Sequence, residues 1–341
     1  MPSSISSRLL AALRAGRAAI SAPGVQAAIL MPDGSGWSGA VGWAAADVPL
    51  TTGDAMPWAS AGKPAVAATL LRLLESSSGT ANAVTLSTRA ASAIPGLRTA
   101  PGATLADLLA HRAGLSEPFD DPLLLRGLTH DPWALWRPTT VLADARVVAR
   151  RGTFVYSNAD YIAAGILIAR LAHESWAAAV DRYVLAPAGS KAWAPVYGRG
   201  CGPVAHSFSV VAGSPPRDLT GSSAMPPFPA LLSAMGAAGG FVGTALDLAR
   251  MGHEIATSRD LLPMLVVRTH STPIEGPYGM GVSRSQVLGK PAVGHGGRLA
   301  GTRTVWRCVL GGGPCVAVLA DRTGIEVEPI AEALLRVVLA P

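Results

Sequence analysis

The hydrophobic pattern of the chain differs between its ends and its middle. Alternating apolar and polar positions predict a β-hairpin from residues 25–31 and 37–41, and a short strand over residues 55–58. Toward the other end, strands are predicted near residues 277–284, 292–295, 302–309 and 315–320. A first amphipathic helix should end near residue 23, and a closing helix should span residues 326–339. The two ends of the chain therefore supply the predicted strands.

The segment between these ends carries helical patterns interrupted by loops rich in proline and glycine. Strands at both ends with helices between them predict an α/β (α+β) fold, in which an antiparallel sheet flanked by helices is built from both termini. We expect residues 1–77 and 235–341 to form this sheet domain and residues 78–234 to form an inserted all-helical domain. A binding site would lie in the crevice between them.

Ser60 precedes an apolar run, residues 65–74, whose composition and length predict a helix. Pro64 lacks an N–H group and is tolerated only in the first turn, so the helix should begin at about Ser60 or Ala61. Residues three apart share a helix face, and the amine of Lys63 can therefore reach the hydroxyl of Ser60. The positive end of the helix dipole disfavours a charged lysine here and stabilises a developing alkoxide.

Lysine is rare in this chain, because only three of its 28 lysines and arginines are lysines. Arginine stays protonated in proteins, whereas a lysine can lose its proton when it is desolvated or lies beside other cations. A lysine kept three residues after a serine therefore predicts a base. A serine helix cap followed by a surface lysine is the alternative interpretation of Ser-x-x-Lys alone.

Two further motifs favour the interpretation of Lys63 as a base. A Tyr-x-Asn motif lies at Tyr156 and Asn158, and a His-Gly-Gly motif beginning at His295 precedes the strand predicted over residues 302–309. With these elements in this order, the chain resembles the serine β-lactamase and penicillin-binding-protein superfamily. It is most similar to the class C-like branch of β-lactamases, D-alanyl-D-alanine peptidases, esterases and related acyltransferases. Residues 104–115, 238–250 and 278–282 are similar to further segments of that branch.

The resemblance implies a role for each motif. Ser60 would attack a carbonyl and form an acyl-enzyme, and either Lys63 or a Tyr156 phenolate held by Lys63 would take the proton. Tyr156 would also relay the proton to the leaving group, and Asn158 would position either the substrate or Lys63. The backbone N–H groups of Ser60 and Arg298 would form the oxyanion hole.

The His-Gly-Gly motif departs from the more familiar β-lactamases, which carry Lys-Thr-Gly there. We expect His295, Gly296 and Gly297 to position the substrate. A permanent cation suits a substrate carboxylate, while a mostly neutral histidine suits it less. A true β-lactamase or D-alanyl-D-alanine peptidase is therefore an alternative to the main prediction, and a non-catalytic binding protein on the same fold is another.

Composition excludes several other classes of protein. The chain is 49% hydrophobic and 15% charged, which predicts a globular enzyme. It has no long uncharged apolar run, so we predict no membrane span. Its formal net charge of +6 comes from scattered arginines, so we predict no nucleic-acid partner. The histidines do not cluster, and Cys201, Cys308 and Cys315 lack metal-ligand spacing, so no metal or cofactor is predicted. Cys308 and Cys315 could face each other across a hairpin, although buried thiols are the default expectation.

The start of the chain bears on the substrate. Arg8, Arg14 and Arg17 interrupt its apolar residues, so a secretory core is missing and a cytoplasmic enzyme is expected, with a transit peptide as the alternative. We therefore predict a small-molecule ester or amide as substrate. The acyl group would pass to water, as in an esterase or amidase, or to an amine, as in an ATP-independent transacylase.

Overall fold

The computed structural model describes residues 1–76, 83–130, 134–194, 204–209, 216–218, 228–261, 264, 271–272 and 276–339; Cys201 lies outside these ranges. The α-helices of the described residues are Ser3–Ile20 (α1), Lys63–Ser76 (α2), Ala90–Ala93 (α3), Leu105–Leu109 (α4), Pro122–His130 (α5), Pro138–Leu142 (α6), Asn158–Ala172 (α7), Trp176–Val180 (α8), Phe228–Met235 (α9), Ala245–Thr257 (α10) and Glu328–Leu339 (α11).

The strands of the same residues are Gly24–Leu30 (β1), Gly36–Ala45 (β2), Val48–Pro49 (β3), Met56–Pro57 (β4), Phe208–Ser209 (β5), Arg217–Asp218 (β6), Val242–Gly243 (β7), Ser271–Thr272 (β8), Gly276–Pro277 (β9), Ser283–Val287 (β10), Lys290–Leu299 (β11), Thr302–Val309 (β12) and Cys315–Ala320 (β13). Single 3₁₀ turns occur at Ala59–Gly62, Pro118–Asp120, Gly236–Ala238 and Arg259–Leu261, and a π-helical turn at Asp181–Leu185.

One antiparallel sheet organises the part of the chain that the structure describes. Its seven strands lie in the order β10-β11-β12-β13-β1-β2-β3. The N-terminal strand β1 pairs with the C-terminal strand β13, with Val25 opposite Ala320, and also with β2. This arrangement confirms the prediction of an antiparallel sheet built from both ends of the chain, and the predicted first hairpin is its β1–β2 pair.

Helices cover both faces of this sheet. On one face α1 and α11 bury Leu9, Leu13 and Leu334 against β1, β12 and β13. On the other face lies α10, with Trp306 of β12 buried beneath Gly252, and α2 packs against α10. Among the described residues, no helix is both long enough and apolar enough to cross a membrane.

Two strands differ from their predicted limits. The strand predicted near residues 277–284 begins only at Ser283, because Tyr278 to Val282 form a turn in which Gly279 N–H donates to Val282 O and Gly281 has a φ of 82°. Such a positive φ favours glycine and interrupts an extended strand. In the other direction, β11 is ten residues long, whereas only residues 292–295 were predicted.

The described residues of the middle of the chain form the helices α3 to α9 and the short strands β5 and β6. Phe208 of β5 donates its N–H to the Asp321 carbonyl, so this segment contacts the end of β13. The division of the chain into two domains at residues 78 and 234 stays a prediction.

The default expectation of buried thiols is wrong for one pair of cysteines. Cys308 of β12 lies opposite Cys315 of β13, with 4.0 Å between their Cα atoms, and the structure joins them as a disulfide. The hairpin register that the sequence indicated brings the two side chains together.

Candidate active site

The turn that carries Ser60 is fixed against the sheet. Residues Ala59–Gly62 form a 3₁₀ turn that leads into α2, so the regular α-helix starts at Lys63, slightly later than predicted. Thr304 Oγ1 donates to the carbonyl of Trp58 at 2.8 Å, and Trp306 Nε1 donates to the carbonyl of Ala61 at 3.2 Å. Two side chains of β12 therefore hold the backbone on either side of Ser60.

Lys63 is completely buried and reaches three oxygen atoms. Its Nζ lies 2.9 Å from Ser60 Oγ, 2.6 Å from Asn158 Oδ1 and 2.6 Å from the carbonyl oxygen of Ala238. The alternative of a surface lysine is thus excluded, and the predicted contact with Ser60 is present.

The three oxygen atoms are not equivalent. An amide oxygen and a backbone carbonyl can only accept hydrogen bonds, so the contacts to Asn158 and Ala238 each require an N–H of Lys63. A hydroxyl can either donate or accept. The Ser60 contact is therefore the one of the three along which a proton can move from oxygen to the amine.

Tyr156 lies beside this pair. Lys63 Nζ is 4.9 Å from the centre of the Tyr156 ring, which is within the range of a cation–π contact. Ser60, Tyr156 and Asn158 also line the same cavity, of about 280 Å³, together with Gly296. The structure thus brings together the side chains of the Ser-x-x-Lys and Tyr-x-Asn motifs.

The backbone N–H of Arg298 faces the open edge of β11. Leu310 N–H donates to Pro291 O, so the backbone polar groups of Pro291 point toward β12. Backbone polar groups alternate sides along an antiparallel strand, and Ser283 Oγ on β10 accordingly donates to Gly294 O. With an unbroken register along β11, Arg298 shares the orientation of Gly294. Its N–H therefore points away from β12, beyond the last residue that pairs with β10.

The side chain of His295 lies behind the Ser60 cavity. Its imidazole is buried, with Nδ1 2.5 Å from the carbonyl of Gly296 and Nε2 2.8 Å from the hydroxyl of Tyr278. A carbonyl only accepts, so Nδ1 carries a proton, and Nε2 forms a hydrogen bond with the Tyr278 hydroxyl. Among the described residues around the Ser60 cavity are Gly296 and Arg298, whereas His295 is held behind them.

The close approach of β11 to the Ser60 turn explains the glycine at position 297. A Cβ atom there would lie 2.2 Å from both the Trp58 carbonyl oxygen and Thr304 Oγ1. No side chain fits in that space, so Gly297 allows the strand to lie directly against the residues that precede Ser60.

A buried His–Asp pair contacts Tyr156 through the His111 ring, whose centre lies 4.2 Å from that of the Tyr156 ring. His111 Nδ1 lies 2.8 Å from Asp160 Oδ2, and also accepts the N–H of Ser157 at 3.3 Å. Burial lowers the pKa of His111 well below its usual value, with the charges of Lys63 and His295 acting in the same direction. Burial also raises the pKa of Asp160 well above its usual value. Both shifts favour the uncharged forms of the two side chains.

Sequence reasoning missed Glu117. Its carboxylate accepts the backbone N–H of Asn158 at 2.7 Å and the Asn158 side-chain N–H at 3.0 Å. Glu117 is 41 residues from Asn158 in the chain, and no motif includes it. His111 and Ala238 lay within segments that resembled the family, although no role was predicted for either, and Asp160 had no signal in the sequence.

A larger cavity of about 530 Å³ adjoins the Ser60 cavity. The two share Asn158, Met235, Arg298 and Arg303. The larger one has a mostly apolar wall, formed by Phe119, Leu125, Leu231, Met235, Leu299 and Ile325. The site therefore has room for an apolar group next to Ser60.

The sheet, the helices on both of its faces and the Ser60–Lys63 pair are those of β-lactamase-like serine enzymes. A family model described as Beta-lactamase matches residues 9–340, so the chain belongs to the Beta-lactamase family. It is a serine hydrolase-like enzyme of the class C-like branch. Among curated proteins, none matches the chain.

Solved structures with the same fold include enzymes that act on amides. A D-amino acid amidase from Ochrobactrum anthropi SV3, complexed with L-phenylalanine amide, has 19% sequence identity and a TM-score of 0.82, and the match covers 98% of this chain and 99% of the amidase. A D-stereospecific amidohydrolase from Streptomyces sp. has 21% identity and a TM-score of 0.76, covering 96% and 97%. An octameric penicillin-binding protein homologue from Pyrococcus abyssi has 21% identity and a TM-score of 0.79, covering 98% and 77%. At these identities, the likeness shows the fold.

Proposed function

We propose that this protein is an acyl-transfer enzyme that works through an acyl-enzyme on Ser60. The observation that carries the proposal is the contact between Ser60 Oγ and the fully buried Lys63 amine at 2.9 Å. The other two oxygen atoms described around Nζ cannot supply a proton, so Lys63 is arranged to receive the one from Ser60.

The proposed reaction begins with attack of Ser60 Oγ on the carbonyl carbon of an amide or ester while Lys63 takes the hydroxyl proton. The N–H groups of Ser60 and Arg298 stabilise the resulting oxyanion, and the orientation of the Arg298 N–H toward the open edge of β11 supports this role. Tyr156 passes a proton to the departing amine or alcohol. Attack by a second nucleophile then releases the acyl group from Ser60.

The acyl donor that we propose is an amide of an amino acid or related acid with an apolar side chain. The apolar wall of the larger cavity supports this assignment, since that cavity adjoins the Ser60 cavity and its volume suits a small ligand. The amidases with the same fold support it too, because one of them was solved with phenylalanine amide. Asn158 binds Lys63 in this proposal.

A second nucleophile other than water has its own support. The site comprises two adjoining cavities, and Ser60 borders the smaller one. If the acyl group fills the larger cavity, an amine can occupy the smaller one and react with the acyl-enzyme. We therefore propose transfer to an amine alongside hydrolysis.

Mass spectrometry of the intact protein tests the proposal. A fluorophosphonate or an activated ester should give one adduct on Ser60 that is absent in Ser60→Ala. The substrates are the amides of D-phenylalanine, L-phenylalanine and alanine, and also a penicillin, each supplied with and without a panel of amines. Their products should separate amidase, transacylase and β-lactamase activities. An adduct that persists in Ser60→Ala contradicts the proposed nucleophile, and turnover of the penicillin alone favours a true β-lactamase.

A further inference from the structure

The side-chain amide of Asn158 is engaged at both of its ends. Its Oδ1 accepts from Lys63 Nζ at 2.6 Å, and its Nδ2 donates to Glu117 Oε1 at 3.0 Å. The backbone N–H of Asn158 donates to the other carboxylate oxygen, Glu117 Oε2, at 2.7 Å. Glu117 thus binds both donors of one residue, and that residue contacts the proposed base.

The two partners together determine which way the amide points. Lys63 directs an N–H toward Asn158, so it requires the amide oxygen, and a carboxylate has only acceptors, so it requires the amide nitrogen. With a partner of only one kind, the amide could rotate by half a turn and present its nitrogen to Lys63. Glu117 removes that alternative.

Glu117 is itself held in place. Its Oε1 also accepts the N–H of Phe119 at 3.0 Å within the 3₁₀ turn Pro118–Asp120. Beside it, Ser157 Oγ donates to the Ser116 carbonyl at 2.7 Å, which ties the residue before Glu117 to the residue before Asn158. The contact between Glu117 and Asn158 therefore joins two backbone segments that are already fixed to each other.

We infer that Glu117 is a positioning residue of the active site, which acts through Asn158 to hold the amine of Lys63 against Ser60. The inference rests on the proposed function. It also decides between the two roles that the sequence left open for Asn158. The amide oxygen contacts Lys63 and the amide nitrogen contacts Glu117, so Asn158 orients the base.

The chemistry of Glu117→Gln shows why a carboxylate is required. A glutamine offers one oxygen and one NH₂ group to the two donors of Asn158, so one pair of N–H groups would face each other. Either that contact opens, or the Asn158 amide rotates and turns its Nδ2 toward Lys63, where two donors meet. Both outcomes move the amine of Lys63 away from Ser60 Oγ.

The experiment measures the rate at which a small fluorophosphonate labels Ser60, because this probe reports on activation of the hydroxyl and carries no amino-acid side chain or amino group. We expect Glu117→Gln to slow labelling by roughly 10-fold or more, as misplaced catalytic groups do. Asp120→Asn is the matched control. It removes an equal charge from an exposed position on the same turn and should leave the rate unchanged.

A double-mutant cycle identifies the route of the effect. If Glu117 acts through Asn158, then Glu117→Gln should change the rate by less than about twofold in an Asn158→Ala background. An equal loss in both backgrounds would show that Glu117 acts independently of Asn158 and would overturn the inference. An unchanged labelling rate in Glu117→Gln alone, with a raised KM for an amino-acid amide, would also overturn it by making Glu117 a substrate-binding residue.

Asn158→Asp is a second variant that tests the same contact. It sets two carboxylates against each other and gives Lys63 an anionic partner that favours its charged form, so labelling of Ser60 should slow. A normal labelling rate in Asn158→Asp would contradict the inference that Lys63 is positioned through the Asn158 amide. Absence of Ser60 labelling in the unmodified protein would instead contradict the proposed function.

Discussion

At the scale of single residues, the chemistry of the site depends on whether Lys63 can lose its proton. Its amine is fully buried and touches the Ser60 hydroxyl, and in the proposed mechanism it exchanges a proton at that oxygen. Arginine would keep the positive charge but cannot be deprotonated. Lys63→Arg should therefore be nearly as inactive as Lys63→Ala, with a loss of roughly 10²-fold or more in the rate of Ser60 labelling.

Lys290→Arg is the matched control for this prediction, since Lys290 is exposed at the start of β11 and lies outside the Ser60 cavity. It should label at the rate of the unmodified protein. If Lys63→Arg also labels at a normal rate, Lys63 contributes charge alone, and the Tyr156 phenolate becomes the remaining candidate for the base.

The site residues that the sequence predicted are close together both along the chain and in the folded protein. Ser60 and Lys63 are three apart on one helical turn, and Tyr156 and Asn158 flank the start of α7, so short motifs sufficed to find them. Glu117 was not found because its contact with Asn158 depends on how two distant segments pack. Ala238 contributes a backbone carbonyl, which every residue type has.

At the scale of elements, the site depends on how closely β11 approaches the Ser60 turn. A methyl group at Gly297 would lie 2.2 Å from the Trp58 carbonyl and from Thr304 Oγ1, which belong to the backbone and to a hydrogen-bonded side chain. Gly297→Ala should therefore push β11 away from the turn and separate the N–H groups of Ser60 and Arg298. We expect labelling of Ser60 to slow by about 10²-fold, because displacements of this kind near the reacting atoms are costly.

Gly53→Ala is the control for a glycine-to-alanine change, because a Cβ atom there meets only Thr51 Oγ1, at 3.7 Å. Its labelling rate should not change. Circular dichroism shows whether each variant is folded. A folded Gly297→Ala protein that labels at the normal rate would mean that β11 does not supply an oxyanion donor.

The strands show why limits of elements are harder to predict than their presence. The strand over residues 302–309 was predicted because β-branched and aromatic residues fill it, and β12 has those limits. Only residues 292–295 of β11 were predicted, since glycine weakens strand propensity. Pairing with β12 and packing against the Ser60 turn extend it to Leu299. Such tertiary contacts leave no periodic signal in the sequence.

At the scale of the whole molecule, the two ends of the chain meet in the middle of the sheet. The sequence indicated this from strands at both ends, and β1 indeed lies beside β13. It gave no sign of the ionisable group buried where they meet. Asp321 follows β13 and is fully buried, and its Oδ1 accepts the N–H of Gly24, the first residue of β1, at 2.7 Å.

Burial raises the pKa of Asp321 to about 8, although the Gly24 N–H and the charge of Arg17 act in the opposite direction. Asp321 Oδ2 has no hydrogen-bond partner among the described residues, which leaves its charge poorly compensated. In an unfolded chain the same carboxyl group has a pKa of about 3.9. The folded protein therefore binds a proton more tightly than the unfolded chain does, so its free energy of unfolding depends on pH.

The stabilising contribution of protonated Asp321 is complete below the unfolded pKa, falls as pH rises between the two values, and is lost above about pH 8. Asp321→Asn removes this titration and keeps an oxygen to accept the Gly24 N–H. From about pH 5 to about pH 8, the free energy of unfolding of the variant should therefore rise relative to that of the unmodified protein, by up to about 1.4 kcal/mol per pH unit. Urea unfolding at a series of pH values measures this difference.

Asp47→Asn, at an exposed turn, is the control and should give a constant difference. Parallel curves for Asp321→Asn would show that Asp321 is already ionised in the folded protein, with the buried end of β13 solvated or paired well enough to carry its charge.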